Sequence, residues 1–351
     1  MKKAILFLGV LLVLLSCKST QLKSVNNNFV SVLIDTLFQD KISIRAIAID
    51  ENIIWYSADG NRFGYFDLKS RKKVEKIITE DSLKIEFRSL AQNKQSVFVL
   101  SIANPALLYK ISKNDLSYRL VYTEKQEKVF YDSMQFWNDT DAIAIGDPID
   151  GTFSILRTGD GGNTWTKLPS EDLPKLVEGE AAFAASNTNI VIKNNKTWLV
   201  SGGKNARVFY SDDKAKTWTA SETPILQGKT MTGIFTADFY DEKNGFIAGG
   251  DYELPQQNFG NKAITSDGGK NWKLIGENQG FGYASCVQYV PNSKGKKLLM
   301  VGATGIFYST DSAKSWKQIS SDSKLLTIRF VNETTAIAAG SNKMIRLTIK
   351  D

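Results

Sequence analysis

The chain has 351 residues, 42% hydrophobic and 23% charged, enough apolar material for one large domain or two modest ones and too much for a disordered chain. Its formal charge is +7 with no basic run interleaved with aromatics, which argues against nucleic acid as a partner. It contains no histidine, so the commonest general base and transition-metal ligand is absent, and catalysis is left to carboxylates, Tyr, Lys, Arg or a bound metal.

The chain opens with Lys2 and Lys3, then an apolar run from Ala4 to Leu15 that is short for a membrane span, then Ser16 and Cys17. Residues 1–16 read as a signal peptide. "LLSC" resembles a bacterial lipobox, which implies that Cys17 becomes the first mature residue and carries lipid; a plain signal peptide with an incidental Cys is the alternative. Loss of 1–16 lowers the charge to about +5, so membrane attachment is expected from acyl chains rather than from a basic patch. Residues 17–28, "CKSTQLKSVNNN", are polar and aperiodic and read as a flexible tether, leaving 29–351 as a single domain. Cys286 is then the one cysteine beside Cys17, with no partner for an internal disulfide, and "SCVQYV" around it reads as a buried strand.

Four short boxes recur in the second half: "TGDGGNTW" at 158–165, "SDDKAKTW" at 211–218, "TSDGGKNW" at 265–272 and "STDSAKSW" at 309–316. Trp165, Trp218, Trp272 and Trp316 follow one another at intervals of 53, 54 and 44 residues, a period suited to a four-stranded propeller blade with variable loops. Before each box lies a strand-like run ("FSILR", "RVFY", "KAI", "GIFY"), and before that an apolar strand ending in small residues ("AIAIGD", "TWLVSGG", "GFIAGG", "LLMVGA"). The first strand of each repeat is read from "SMQFWND", "AAFAASNT", "TADFYDE" and "CVQYVPN". Residues 44–79 and 84–124 keep the rhythm without boxes, and the last segment, 325–350, supplies three strands. "FVSVLIDTL", Phe29 to Leu37, is available as the fourth. The expected fold is therefore all-β: a seven-bladed propeller of four-stranded antiparallel blades, the last closed by the N-terminal strand, with six blades as the alternative if one early repeat is misread. No helix beyond a turn near 170–181 is expected.

The box is similar to the Asp-box, or BNR repeat. Asp160, Asp213, Asp267 and Asp311 are expected to accept backbone N–H groups within hairpin turns, and the tryptophans to pack between blades. Recurrence in every repeat suits a building part better than an active site. Ala215 and Ala313 stand where Gly is expected, so those two turns are expected to differ slightly. Across nearly the whole mature chain, and most clearly in "FWNDTDAIAIGDPIDGTFSILRTGDGGNTW" (136–165), "EGEAAFAASNTNI" (178–190) and "YASCVQYV" (283–290), the sequence resembles propellers related to the photosystem II stability/assembly factor. Bacteroidetes-type envelope members of that group often carry the labels oxidoreductase or sialidase-like. The resemblance implies an assembly or scaffolding role near membranes, not photosynthesis.

Three arginines stand near the first strands of adjoining repeats: Arg45, Arg88 and Arg329. On one arc of a channel they would hold an anion or carboxylate; the alternative is that they pair with channel carboxylates. Asp132, Glu180 and Asp147 are the candidate acids of the far arc, with Tyr131 and Tyr283 near the same positions. Asp147 and Asp150, in "GDPIDG", are a weak calcium candidate that a turn explains as well. The insertion 251–261, with Tyr252, Leu254 and Phe259, is expected to form an exposed contact patch. No cofactor is expected. These features point to a monomeric, lipid-anchored propeller of a cell envelope that binds an envelope protein, an anionic small molecule or a glycan. The alternative is a sialidase-like hydrolase of acidic sugars, which would need two carboxylates or a Tyr–Glu pair facing one pocket.

Overall fold

The computed structural model describes residues 31–79 and 83–350; the leader, Cys17 and the whole of the tether lie outside the described residues. The described chain is an all-β propeller of antiparallel sheets, and its one helical element is the single 3-10 turn Ser170–Asp172. The middle strands of the sheets, such as Ser96–Ser101 and Gly245–Asp251, are buried along their whole length, because each sheet packs face to face between two others. The outer strands are polar: Lys72–Ile77 and Lys317–Ser320 place lysines on free edges, which discourages pairing with other chains.

The chain ends meet. Ser31–Asp50 pairs over 31–39 with the C-terminal half of Thr335–Lys350, while its later half, 44–50, pairs with Ile53–Ala58. Thr335–Lys350 turns back near Asn342, which has a φ of 68°, so that Ile349 N–H reaches Thr334 O at 2.8 Å. The sheet count is six, the alternative, and not the expected seven. The cause is local. Ser31–Asp50 runs unbroken, so the unit that closes the ring and the first repeat share one six-stranded sheet, although each keeps its own innermost segment, Leu325–Phe330 and 44–50.

The four box turns share most of their internal wiring. Asp160 Oδ1 accepts from Asn163 N–H (2.8 Å), Thr164 N–H (3.0 Å) and Thr158 Oγ1 (2.8 Å), and Oδ2 accepts from Thr164 Oγ1 (2.8 Å). Asp213 and Asp267 bond the matching side-chain and backbone groups of their own turns. Asp311 keeps the bonds from Ser309 Oγ, Ser315 N–H and Ser315 Oγ but not the one from the residue three further on. Burial works to raise these carboxyls, but the hydrogen bonds outweigh it and hold Asp160 and Asp267 down at about 2. In backbone conformation the turns carrying alanine match those carrying glycine. Gly161 and Gly162 have φ of 72° and 74°, while Lys214 and Ala215 have 59° and 62°, and Ser312 and Ala313 have 60° and 65°. Non-glycine residues thus hold left-handed positions, each at about 1–2 kcal/mol. The alanine methyls recover part of this by burial in the apolar core. The tryptophans lie between sheets: Trp165 packs edge-on against Phe98 of one sheet and Phe136 of the next, and Trp316 against Phe281, with Phe246 of the neighbouring sheet also in contact.

Candidate functional site

The innermost strands share a device. The first strands Phe87–Gln92, Tyr131–Phe136, Thr232–Phe239, Ala284–Tyr289 and Leu325–Phe330, together with 44–50, each carry a register shift near their start. The residue skipped by the ladder is Arg45, Arg88, Asp132, Phe235, Ser285 or Leu326. A bulge re-aims its side chain, and six bulges at one level turn these residues toward the axis.

The axis itself is filled. The segment "AAFAASNT" is not the strand expected from sequence: the short strand Glu180–Ala181 is followed by irregular chain until Ile190–Lys193. Its small residues fit where a ladder strand would not, and the surrounding strands satisfy its polar groups. Arg45 Nη1 donates to Ala185 O (3.2 Å), Asn187 Nδ2 to Leu90 O (2.7 Å), and Met134 N–H to Asn187 Oδ1 (3.0 Å). Ser186 Oγ donates to Ser285 O (2.6 Å), Thr188 Oγ1 to Thr236 Oγ1 (2.8 Å), and Thr327 Oγ1 to Ser186 O (3.2 Å). Residues 185–188 therefore bond to all six of those inner strands and close the channel midway.

On one side of this plug lies a cavity of about 400 Å³ lined by Arg45, Arg88, Asp147, Phe183, Phe235, Tyr252 and Tyr283. Phe183 stacks on Phe235 with ring centroids 4.0 Å apart, and Tyr283 meets Phe235 and Tyr252 edge-on. Arg88 is forked onto Glu86 at 2.8 and 3.1 Å, so its counter-charge is two residues away and not on the far arc. Among the described residues Arg45 has no carboxylate partner. Its Nε is buried without a hydrogen bond, and burial, then the neighbouring Arg88, lowers its pKa. Asp147 lines the same cavity, accepts from Ala182 N–H at 3.2 Å, and is pushed up to about 6 by burial. Asp132 behind it is fully buried with both oxygens unpartnered. Burial, then the Asp147 charge, raises it well above the usual carboxylate range, against the pull of Arg88.

Other sequence candidates are placed elsewhere. Arg329 lies three residues beyond Leu326, the position matching Arg45 and Arg88, or about 10 Å further along a strand. It lines a second cavity beyond the plug, donating to Ile328 O (2.6 Å) and Asn187 O (3.2 Å), so the three arginines do not converge. Glu180 is buried and held by Arg207 Nε (3.0 Å) and Ser201 Oγ (2.6 Å), away from the cavity. Tyr131 donates to Glu124 Oε2 at 2.8 Å within an apolar cluster, and this Tyr–Glu pair does not face Arg45. Asp150 is exposed and, with Gly151, makes a two-residue turn (φ 55° and 79°). Among the described residues no group of three or more Asp, Glu, Cys or His is placed to hold a metal. Cys286 is buried and free, its sulfur accepting from Ile328 N–H at 3.4 Å. Tyr252, Leu254 and Phe259 stand 50, 52 and 48% exposed, and Tyr252 joins that patch to the cavity. Sequence reasoning missed Glu86 and the Phe183–Phe235 wall; the signal for Phe183 was its place in an alanine-rich run too small for a core strand.

No protein-family model matches the chain, and no curated protein is similar to it in sequence. Solved structures are similar in fold. One described as YCF48 bound to D1 peptide aligns at a TM-score of 0.65 with 12% identity, covering 91% of this chain and 97% of the other. YCF48 from Cyanidioschyzon merolae aligns at 0.62 with 10% identity over 91% and 98%. The WD40 repeats of RRP9 align at 0.62 with 10% identity over 90% and 97%. The resemblance to propellers of the photosystem II assembly-factor kind thus holds at the level of the fold.

Proposed function

We propose that this propeller is a non-catalytic binding scaffold, and that a protein segment bearing an anionic group seats on the Arg45 cavity. The observation that carries this reading is the buried Arg45 guanidinium, whose Nε lacks a partner beside an aromatic wall. An unpaired buried cation is costly, and a carboxylate or phosphate entering the cavity would satisfy it. Tyr252 and Leu254 at the rim supply apolar surface for the flanking residues of such a segment. The structural neighbour with a bound peptide agrees in kind. The "LLSC" motif supports attachment of the scaffold to a cell envelope through lipid on Cys17.

Calorimetric titration of the mature soluble domain with acidic peptides and simple dicarboxylates tests the reading. Binding that weakens at least tenfold in Arg45→Ala is expected; no anion bound, or an indifferent variant, overturns it. Mass spectrometry of the membrane fraction is expected to find acylated Cys17, and a soluble wild type would dismiss the anchor.

A further inference from the structure

The second cavity, on the opposite side of the plug, is larger, about 660 Å³, and differently furnished. Gln92, Gln135 and Gln288 line it from three inner strands. In each the amide NH2 makes one hydrogen bond that fixes the side chain: Gln92 Nε2 donates to Ile49 O (2.7 Å), Gln135 Nε2 to Ile190 O (2.8 Å) and Gln288 Nε2 to Val287 O (3.0 Å). Each amide keeps a second N–H and a carbonyl oxygen, so it can both donate and accept. Three amides that each donate and accept suit a ligand whose groups do both, which means hydroxyls.

The charges in the same cavity are Lys193, Arg329 and Asp238. Asp238 is largely committed, its two oxygens accepting from Phe239 N–H (2.9 Å) and Tyr289 N–H (2.7 Å). Arg329 is held against the plug through Asn187 O. Lys193 has neither a hydrogen bond nor an ion pair among the described residues, and two cations stand against one carboxylate. The volume is in the range that holds a small molecule, and the plug gives it a floor.

We propose that this cavity binds a polyhydroxylated monoanion of monosaccharide size, a sugar acid, with hydroxyls on the glutamine amides and the acid group on Lys193. The site is separate from the Arg45 cavity and does not depend on the scaffold reading.

The test is calorimetric titration of the mature soluble domain with glucuronate and galacturonate, with glucose and acetate as partial mimics. At least one uronate is expected to bind at least about tenfold more tightly than glucose or acetate. Lys193→Ala and Gln92→Leu are each expected to weaken it about tenfold or more with the fold intact by circular dichroism. Lys193→Arg, which keeps the charge at the rim, is expected to retain most of the binding. The proposal falls if neither uronate binds at millimolar concentration, or if glucose or acetate binds equally well. It falls also if Lys193→Ala and Gln92→Leu are without effect.

Discussion

Arg45 Nη1 donates to the carbonyl of Ala185, 3.2 Å away and 140 residues further along the chain. This bond joins the first repeat to the plug, and with the five other inner-strand contacts it makes 185–188 the axle of the ring. Asn187 is its centre, buried, with a φ of 58° and its amide bonded to two different strands. Asn187→Ala would orphan Leu90 O and Met134 N–H in the interior. A loss of about 2–4 kcal/mol is expected in urea unfolding, and a change below 0.5 kcal/mol would show that the plug does not tie the ring together.

The box carboxylates predict an acid limb. The folded state holds Asp160 and Asp267 at about 2 against an ordinary value of 3.8. The stability they add is therefore fully present above about pH 4 and is lost as pH falls toward 2. Asp160→Asn should lower the melting temperature at pH 7 and flatten its fall over that window. A variant with an unchanged acid limb would assign acid unfolding to other groups.

Asp147 and Asp132 act in the opposite sense. Their carboxyls are raised in the folded state, Asp147 to about 6, so the native protein loses stability as pH rises through that value. Asp147→Asn keeps an acceptor for Ala182 N–H and removes the buried charge. It should be more stable than wild type by about 1–2 kcal/mol at pH 8 and equal to it near pH 4, by thermal melts across that range. Equal curves at pH 8 would show that Asp147 stays solvated.

Gly162 and Ala215 occupy the same turn position with opposite surroundings. A Cβ on Gly162 would lie 2.3 Å from a Phe98 ring carbon, whereas the Ala215 methyl already fills a core gap. Gly162→Ala is expected to cost about 2–4 kcal/mol in chemical denaturation. Ala215→Gly should change stability by less than about 1 kcal/mol, because relief of backbone strain offsets the lost methyl burial. Equal effects of the two changes would mean that backbone conformation alone governs this position.

Much of the architecture was legible in the residues. The boxes at 158–165, 211–218, 265–272 and 309–316 repeat a local chemistry in which Asp, hydroxyl and left-handed turn positions satisfy one another within eight residues, so the turn needs little from its surroundings. Period and strand alternation then set the propeller, and an unpaired strand at each end pointed to closure. The sheet count was less legible, because whether Ser31–Asp50 breaks or runs on depends on what pairs with each half. Arg45 and Arg88 were legible as equivalent positions; the matching residue of the last repeat is Leu326, and Arg329 stands three residues further along its strand, an offset that short runs of alternating residues do not fix.

The sequence by itself determined the strand period, the box turns, the all-β class and the presence of arginines on the innermost strands, since each depends on contacts within a few residues. Only the tertiary structure decided that 183–189 leaves the sheet to plug the axis, that Arg88 turns to Glu86 while Arg45 bonds the plug without a carboxylate among the described residues, and that the channel is two cavities of different chemistry. Those outcomes rest on groups from six strands meeting at one axis, where burial and hydrogen-bond satisfaction outweigh the local preference of any one segment.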